Sequence, residues 1–360
     1  LSSDRIASVR AVPFRLLLRF EFAIAGGAQA AAEGVLVRVR LADGTVGWGE
    51  CAPLPAYDGQ TAARTLAEIR RAAPALRGLP SGRAERVREA LGESCRGSCA
   101  RAGLEMAVLD AWARSRRLPL WAFFGGAGVR LRTGMTVPIL PPDEARDEAR
   151  RIARLGIRGL KVKVGRDPDE DAERVAAAWS AGRFSSLILD ANGGYSDADA
   201  LRLLRRLARR ALRPDLFEQP VAPDDLDGMA RVARLGRVDV AADESARRPE
   251  DLPRLIRRRA AQCVNLKIMK SGVAGALELA RAARAAGLRL MIGGNVETRL
   301  AMACAAHLAC GLGGFDFVDL DTPLYFAREP FRGPSPGKGG LWDLSRVRAG
   351  IGVAPPLDFS

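Results

Sequence analysis

Histidine occurs once in the 360 residues, at His307, and lysine only five times against fifty-one arginines. A single histidine excludes a zinc site built from several, and any Ser-His-Asp triad away from that position. His307 lies in an Ala-rich helical stretch, where packing is the expected role. The six cysteines (Cys51, Cys95, Cys99, Cys263, Cys304, Cys310) form no C-x-x-C pair and no disulfide-rich spacing. Cys95 and Cys99 can face each other one helical turn apart, yet both read as small apolar packing residues. No apolar run approaches the roughly eighteen residues of a membrane span. The first residues, Leu1-Ser2-Ser3-Asp4-Arg5, contain no hydrophobic signal region, so a cytoplasmic location without a membrane partner is expected. Aromatic residues make up only 6%, which leaves few stacking platforms for nucleic acid.

The net charge of +14 invites a nucleic-acid reading all the same. Its arginines are spread along the chain in helical patterns, as in Leu201-Arg202-Leu203-Leu204-Arg205-Arg206-Leu207. Such spacing describes the solvated face of an amphipathic helix, and no nucleic-acid partner is expected. The Arg and Ala excess is that of a G+C-rich coding sequence. With one histidine and no reactive cysteine pattern, the chemistry falls to carboxylates and lysines. Lys161 and Lys163 lie in Leu160-Lys161-Val162-Lys163-Val164, and Lys267 lies in Val264-Asn265-Leu266-Lys267-Ile268; the others are Lys270 and Lys338. A guanidinium stays protonated in proteins, whereas a crowded or desolvated ammonium can lose its proton and act as a base.

The first 130 residues read as α+β. Residues 35–41 alternate with period two, Asp43-Gly44 makes a turn, and Val46-Gly47-Trp48-Gly49-Glu50 returns. Helices are expected near 60–77, 82–92 and 97–116. From about 133, short apolar strands alternate with Arg/Ala-rich helices, with strands near 135–139, 159–164, 186–190, 215–218, 239–243, 263–267, 289–293 and 315–319. Eight strands separated by helices predict a parallel (β/α)8 barrel or a near variant, with an open doubly wound sheet as the alternative. No G-x-G-x-x-G or P-loop follows any strand. The Pro/Gly-rich tail from 326 to 360 is expected to pack back on the N-terminal region.

Five consecutive strands end in ionisable residues: Lys163, Asp190, Glu218, Asp243 and Lys267, separated by 27, 28, 25 and 24 residues. Each step is about one β/α unit, so the side chains should converge on the C-terminal mouth of the barrel. An acid at one strand end is often a loop residue or helix cap; five in succession point to a site. Asp190, Glu218 and Asp243 on neighbouring strands suit a hard, oxygen-seeking cation, Mg²⁺ first, with Mn²⁺ or Ca²⁺ behind it. Lys163 and Lys267, four strands apart, should face each other across the mouth as the two bases of a 1,1-proton transfer. Lys161, two residues before Lys163, should crowd it and meet a substrate carboxylate. Asp319 and Asp321, again two residues apart, can grip a substrate ammonium or act as caps.

These motifs, together with Asn265-Leu266-Lys267-Ile268-Met269-Lys270-Ser271-Gly272, resemble the enolase superfamily in its muconate lactonizing enzyme subgroup. Gly47-Trp48-Gly49-Glu50 and Leu104-Glu105-Met106-Ala107-Val108-Leu109-Asp110 are similar to that family's capping domain, so the resemblance covers nearly the whole chain. It implies a modified TIM barrel, (β/α)7β, over residues 131–325, and an α+β capping domain over residues 1–130 joined by the tail from 326 to 360. It also implies one Mg²⁺ per subunit, an enediolate intermediate and a homo-oligomer. Asp319-Leu320-Asp321 resembles the D-x-D motif with which dipeptide epimerases hold a free amino group, and Thr136, Asn295 and Glu297 fall at family positions near the substrate. The expected activity is therefore epimerisation at the α-carbon of a dipeptide's C-terminal residue. O-succinylbenzoate synthase, muconate cycloisomerase and N-acylamino acid racemase of the same subgroup are the alternatives, and a non-catalytic Arg-rich binding protein is a remote one. Members specific for Ala-Glu place an Arg in a mobile loop near 20–30. Here that loop has no basic residue after Arg19. Phe20, Phe22 and Ile24 suit an apolar C-terminal residue instead, and Glu21 or Asp58 a basic one.

Overall fold

The computed structural model describes residues 4–24 and 26–356; the side chains of Ile24 and Asp58 lie outside the described residues. The N-terminal sheet is antiparallel, in the order β1 (Ile6–Ile24), β2 (Gly27–Leu41) and β3 (Val46–Cys51). Along β2, Val35, Val37, Val39 and Leu41 are buried while Arg40 is exposed, as the alternation requires. The turn to β3 is closed by Leu41 N donating to Thr45 O at 2.8 Å, with Gly44 at φ 87. Residues 20–24 and 27–30, expected in a mobile loop, instead belong to the paired strands β1 and β2, with Phe22 opposite Gln29 and Ala23 opposite Ala28. The alternation of Phe20, Phe22 and Ile24 favours an extended strand, and the following glycines permit the reversal.

Helices α1 (Pro55–Asp58), α2 (Ala62–Leu76), α3 (Ala84–Ser94), α4 (Ser98–Ser115) and α5 (Leu120–Phe123) follow. The glycines of Gly47-Trp48-Gly49 have a packing cause: a Cβ at Gly49 would run into the backbone of Gly103, and one at Gly47 into that of Ala107 and Ala111. β3 thus lies directly on α4. Asp110 of α4 accepts from Trp48 N at 2.9 Å, from Ile351 N at 2.7 Å and from Arg114 Nε at 2.8 Å, so one buried carboxylate joins sheet, helix and tail. Cys95 follows the end of α3 and Cys99 lies in α4, so the two share no helix, and all six cysteines are buried with no disulfide among the described residues.

After β4 (Arg130–Arg132), strands and helices alternate: β5 (Met135–Val137), α6 (Pro142–Arg154), β6 (Gly159–Lys163), α7 (Pro168–Ser180), β7 (Ser186–Asp190), α8 (Asp197–Ala208), β8 (Leu216–Glu218), α9 (Leu226–Gly236), β9 (Val240–Ala242), α10 (Leu252–Arg258), β10 (Cys263–Leu266), α11 (Ile268–Ala285), β11 (Arg289–Ile292), α12 (Arg299–Leu312) and β12 (Phe317–Val318). The eight strands β5–β12 are parallel and ordered as in the chain, and Gly134 N donates to Val318 O at 2.9 Å between the first and last. With seven helices between eight strands, the fold is the (β/α)7β barrel with an N-terminal α+β cap. In α8, Ala200, Leu203, Leu204 and Leu207 face the sheet, and Arg202, Arg205 and Arg206 are exposed. β13 (Leu341–Asp343) in the tail pairs antiparallel with β4. His307 in α12 is a buried packing residue: Nδ1 accepts from Trp121 N at 2.9 Å and Nε2 meets Ile351 O at 3.0 Å. Burial lowers its pKa to about 4, which keeps the ring neutral. Among the described residues no helix is long and apolar enough to cross a membrane.

Candidate active site

Lys163, Asp190 and Glu218 are the last residues of β6, β7 and β8, while Asp243, Lys267 and Asp319 follow β9, β10 and β12 directly. Lys161 Nζ stands 2.8 Å from Asp190 Oδ2, 2.8 Å from Glu218 Oε2 and 2.7 Å from Asp319 Oδ2. Lys163 Nζ donates to Asp190 Oδ2 at 2.6 Å and to Asn192 Oδ1 at 2.8 Å. On the far side, Lys267 Nζ donates to Asp243 Oδ2 at 2.7 Å and lies 5.2 Å from the Tyr57 ring centre. The three lysines line one cavity with Thr136, Asn192, Asn295, Asp319 and Asp321; Phe22, Leu54, Tyr57 and Val296 provide its apolar wall.

The two aspartates after β12 meet Thr136 from both ends. Asp321 Oδ2 accepts from Thr136 N at 2.7 Å, and Asp319 Oδ1 accepts from the Thr136 hydroxyl at 3.2 Å. Asn295 Nδ2 donates to Ala52 O at 3.0 Å, and its Oδ1 is buried with no partner among the described residues. Glu297 accepts from Asn295 N at 2.7 Å and so sets that side chain's backbone rather than facing the cavity itself. Phe20 and Phe22 both meet the Tyr325 ring edge-on, at 5.4 and 5.7 Å, and Phe22 also reaches the cavity. Glu21 is exposed.

Burial and charge oppose each other throughout the site. Burial alone would lower the Lys161 pKa, but Asp190, Asp319 and Glu218 outweigh it and hold the ammonium well above its ordinary range. Lys161 is therefore a fixed cation, contrary to the expectation that it and Lys163 chiefly repel. Lys267 behaves likewise, its desolvation outweighed by Asp243 and Glu218. Burial would raise Asp190, yet Lys161, Lys163 and Lys267 hold it below the usual carboxylate range; Asp243 is held down in the same way by Lys267 and Lys270. Glu218 is pushed up to about 7 by burial and by Asp190, and Asp321 to about 7 by burial and by Asp319.

Among the described residues no group of three or more His, Cys, Asp or Glu side chains is gathered into a ready metal cage. Asp190 and Glu218 converge on the Lys161 ammonium, and Asp243 turns to Lys267 and Lys270. The donor set nevertheless fits a hard divalent cation. It offers three buried carboxylates on adjacent strands, and a cation already bridges two of them. Asn265 Nδ2 donates to Glu218 Oε1 at 2.8 Å, fixing that carboxylate from below.

Family profiles match most of the chain. Residues 6–125 match the mandelate racemase / muconate lactonizing enzyme N-terminal domain, and residues 144–358 match the enolase C-terminal domain-like family. The chain belongs to this branch of the enolase superfamily. An aromatic dipeptide epimerase of Herpetosiphon aurantiacus is 44% identical, over 97% of this chain and 98% of that one. A hydrophobic dipeptide epimerase of Citrifermentans bemidjiense is 37% identical, over 98% of this chain and 97% of that one. The structure of a dipeptide epimerase from Enterococcus faecalis V583, complexed with Mg and the dipeptide L-Leu-L-Tyr, superimposes with a TM-score of 0.92 at 30% identity, covering 97% of this chain and 99% of that one. The protein is an isomerase.

Several site residues escaped sequence reasoning. Tyr57 lies between Lys267 and Arg247, both at 5.2 Å from its ring centre, and its neighbour Asp58 drew the attention instead. Lys270 Nζ sits in a pocket of four oxygens: Asp243 Oδ1 and Asp243 O at 2.9 Å, Ala246 O at 3.0 Å and Asn265 O at 2.5 Å. The i, i+3 spacing from Lys267 was the available signal for it. Glu50, known only as the end of a family-like motif, accepts from Thr298 N at 2.8 Å, from its hydroxyl at 2.5 Å and from Ala301 N at 3.2 Å, which locks the cap onto the first turn of α12.

Proposed function

We propose that the protein is a Mg²⁺-dependent dipeptide epimerase that inverts the α-carbon of the C-terminal residue, with preference for an apolar or aromatic side chain there. The observation behind this reading is the cavity itself, into which Lys163 and Lys267 reach from strands four apart, with Asp319 and Asp321 on its remaining side. One lysine removes the α-proton from one face of the carbon and the other returns a proton from the opposite face. Such an exchange needs one neutral and one charged lysine. Asp243 keeps Lys267 charged, which suits it to give its own proton to one face of the carbon while Lys163 takes the α-proton from the other. Asp190, Glu218 and Asp243 would hold the Mg²⁺, whose role is to offset the negative charge that builds on the substrate carboxylate. Lys161 adds a fixed positive charge beside it.

Asp319 and Asp321 would receive the α-ammonium, and the unpartnered Asn295 Oδ1 is placed to accept the peptide N–H. Phe22, Leu54, Tyr57 and Val296 would surround the C-terminal side chain, in keeping with the aromatic and hydrophobic dipeptides named for its relatives. Residues 131–325 would carry the chemistry, and residues 1–130 with the tail from 326 would close over it. Six buried thiols fit a reducing compartment such as the cytoplasm.

A second reading, N-acylamino acid racemisation, is favoured by one observation. Asp319 is already paired with Lys161, and Asp321 is pushed up to about 7, so the pair presents less negative charge than two aspartates would suggest. Mass-spectrometric deuterium uptake from D2O, screened over L,L-dipeptides and N-acylated amino acids with Mg²⁺ present, decides between them. Uptake at the C-terminal α-carbon of apolar dipeptides supports the first reading. Uptake confined to N-acylated substrates replaces it with the second.

A further inference from the structure

A buried carboxylate away from the strand ends ties three loops of the barrel mouth together. Asp171, in the first turn of α7, is fully buried. Its Oδ2 accepts from the backbone N–H of Gly165 at 2.9 Å and of Arg166 at 3.1 Å, in the loop after β6. The same oxygen accepts from the phenol of Tyr195, which lies in the loop after β7. Its other oxygen pairs with Arg174, one turn further along α7, and Arg174 Nε donates to Leu140 O at 2.5 Å in the loop after β5. Asp171, Arg174 and Tyr195 are all buried. A helix-capping role would require only the contacts to the loop before α7; the bonds to Tyr195 and Leu140 reach beyond it.

The loops so joined lead to one side of the site. Gly165 follows Lys163 by two residues, and Tyr195 follows Asn192, the acceptor for Lys163 Nζ, by three. Val164 N donates to Asp190 O at 2.9 Å, and Gly165, at φ 109, lies so near Ala191 O that a Cβ there would collide with it. Backbone contact therefore transmits any shift at Asp171 to the Lys163–Asp190–Asn192 group. Lys267 is held from the β9 side, through Asp243; the bonds of Asp171, Arg174 and Tyr195 do not reach that side, to which the Lys163 group is joined by Asn192 Nδ2 donating to Glu244 Oε1 at 3.2 Å.

We propose that Asp171, Tyr195 and Arg174 form a positioning cluster for the Lys163 face of the site, holding Lys163 Nζ at its spacing from Asp190 and Asn192. The proposal rests on the reading that Lys163 and Lys267 serve opposite faces of one carbon. Because the cluster's own bonds reach only the Lys163 side, loosening it should unbalance the exchange rather than merely slow it.

The test uses Tyr195→Phe, which removes one hydroxyl and keeps the Asp171–Arg174 ion pair, and Asp171→Asn as the stronger change. Deuterium uptake is followed separately from each epimer of an apolar dipeptide with Mg²⁺ present, alongside thermal unfolding. Small displacements of a reacting group can cost on the order of a hundredfold in rate. A loss of about tenfold in exchange from the epimer whose proton faces Lys163, relative to the other, is therefore expected for Tyr195→Phe. Equal losses for both epimers, or none, would overturn the cluster's role. A readout independent of turnover comes from the scarcity of lysine. Protein labelled with 13C at lysine Cε gives five signals, assignable by single Lys→Arg changes. In Tyr195→Phe the Lys163 signal should move while those of Lys267 and Lys270 stay. If it moves in this way but the parent enzyme exchanges no dipeptide proton, the reaction assignment fails and the positioning cluster stands; if all lysine signals move together or none does, the cluster fails. Should Asp171→Asn not fold, Tyr195→Phe answers alone.

Discussion

Lys163 and Lys267 stand four strands apart in the eight-stranded barrel and line the same cavity, each hydrogen-bonded to a different aspartate: Lys163 Nζ to Asp190 Oδ2 at 2.6 Å, Lys267 Nζ to Asp243 Oδ2 at 2.7 Å. Two lysines held by different aspartates predict separable defects. Lys267→Ala should abolish deuterium uptake from one epimer while the other still loses its α-proton to Lys163, and Lys163→Ala should give the mirror pattern. Small, equal losses for both epimers in both variants would rule out a two-base exchange.

Asp321 offers a test of ammonium recognition. Hydrogen bonds to charged groups contribute about 1.5–3 kcal/mol, so Asp321→Asn should raise KM for dipeptides about ten- to a hundredfold. The same change should scarcely affect any N-acylated substrate, which has no ammonium. Steady-state kinetics on a matched pair of substrates reads the difference. Asp319→Asn should behave less cleanly, because it also strips a carboxylate from Lys161.

Chelation with EDTA should stop exchange, and added Mg²⁺ should restore it. A ligand at a hundred times its Kd stabilises the folded state by about 2.7 kcal/mol, so Mg²⁺ should also raise the Tm. Glu218→Gln should weaken that rise, since it removes one of the three carboxylates. A Tm indifferent to Mg²⁺ in the parent protein would contradict the metal assignment.

Glu297 governs a pH effect on stability. Burial, with help from the nearby Glu50, raises its pKa from 4.5 to about 8. A carboxyl raised in the folded state binds its proton more tightly there than in the unfolded chain. The stabilisation is thus complete below about 4.5 and is lost as pH rises towards 8, at up to about 1.4 kcal/mol per pH unit for one proton. Glu297→Gln should flatten the fall in Tm between pH 5 and pH 8. An unchanged slope would show that other groups set it.

Much of the barrel was legible because its strands are short apolar runs that stop at an ionisable residue. Lys163, Asp190 and Glu218 end β6, β7 and β8, and the regular spacing of one β/α unit brought them together on paper as the fold does in space. The pairing of the end of β1 with the start of β2 was not legible as structure, since glycine and alanine there suggest a loop until strand pairing is known. Tyr57, Asn192 and Lys270 were missed as site members for a related reason. Their roles arise from contacts between segments far apart in the chain, such as Lys270 with Ala246 or Tyr57 with Lys267, and no local pattern encodes those. The glycines of Gly47-Trp48-Gly49 and the carboxylate of Glu50 were recognisable as a motif, but only the approach of α4 and α12 gives them a cause.

The four-oxygen socket around Lys270 Nζ bears on how this chain came by its composition. A single base change turns a lysine codon into an arginine codon, and almost every basic position in the chain now reads Arg. At Lys270 the ammonium fills a space bounded by three backbone carbonyls and one carboxylate, which a planar guanidinium, wider and with its donors spread in a fork, would have to force apart. Nucleotide bias can rewrite a surface freely, but it halts where the hole is the shape of a smaller cation.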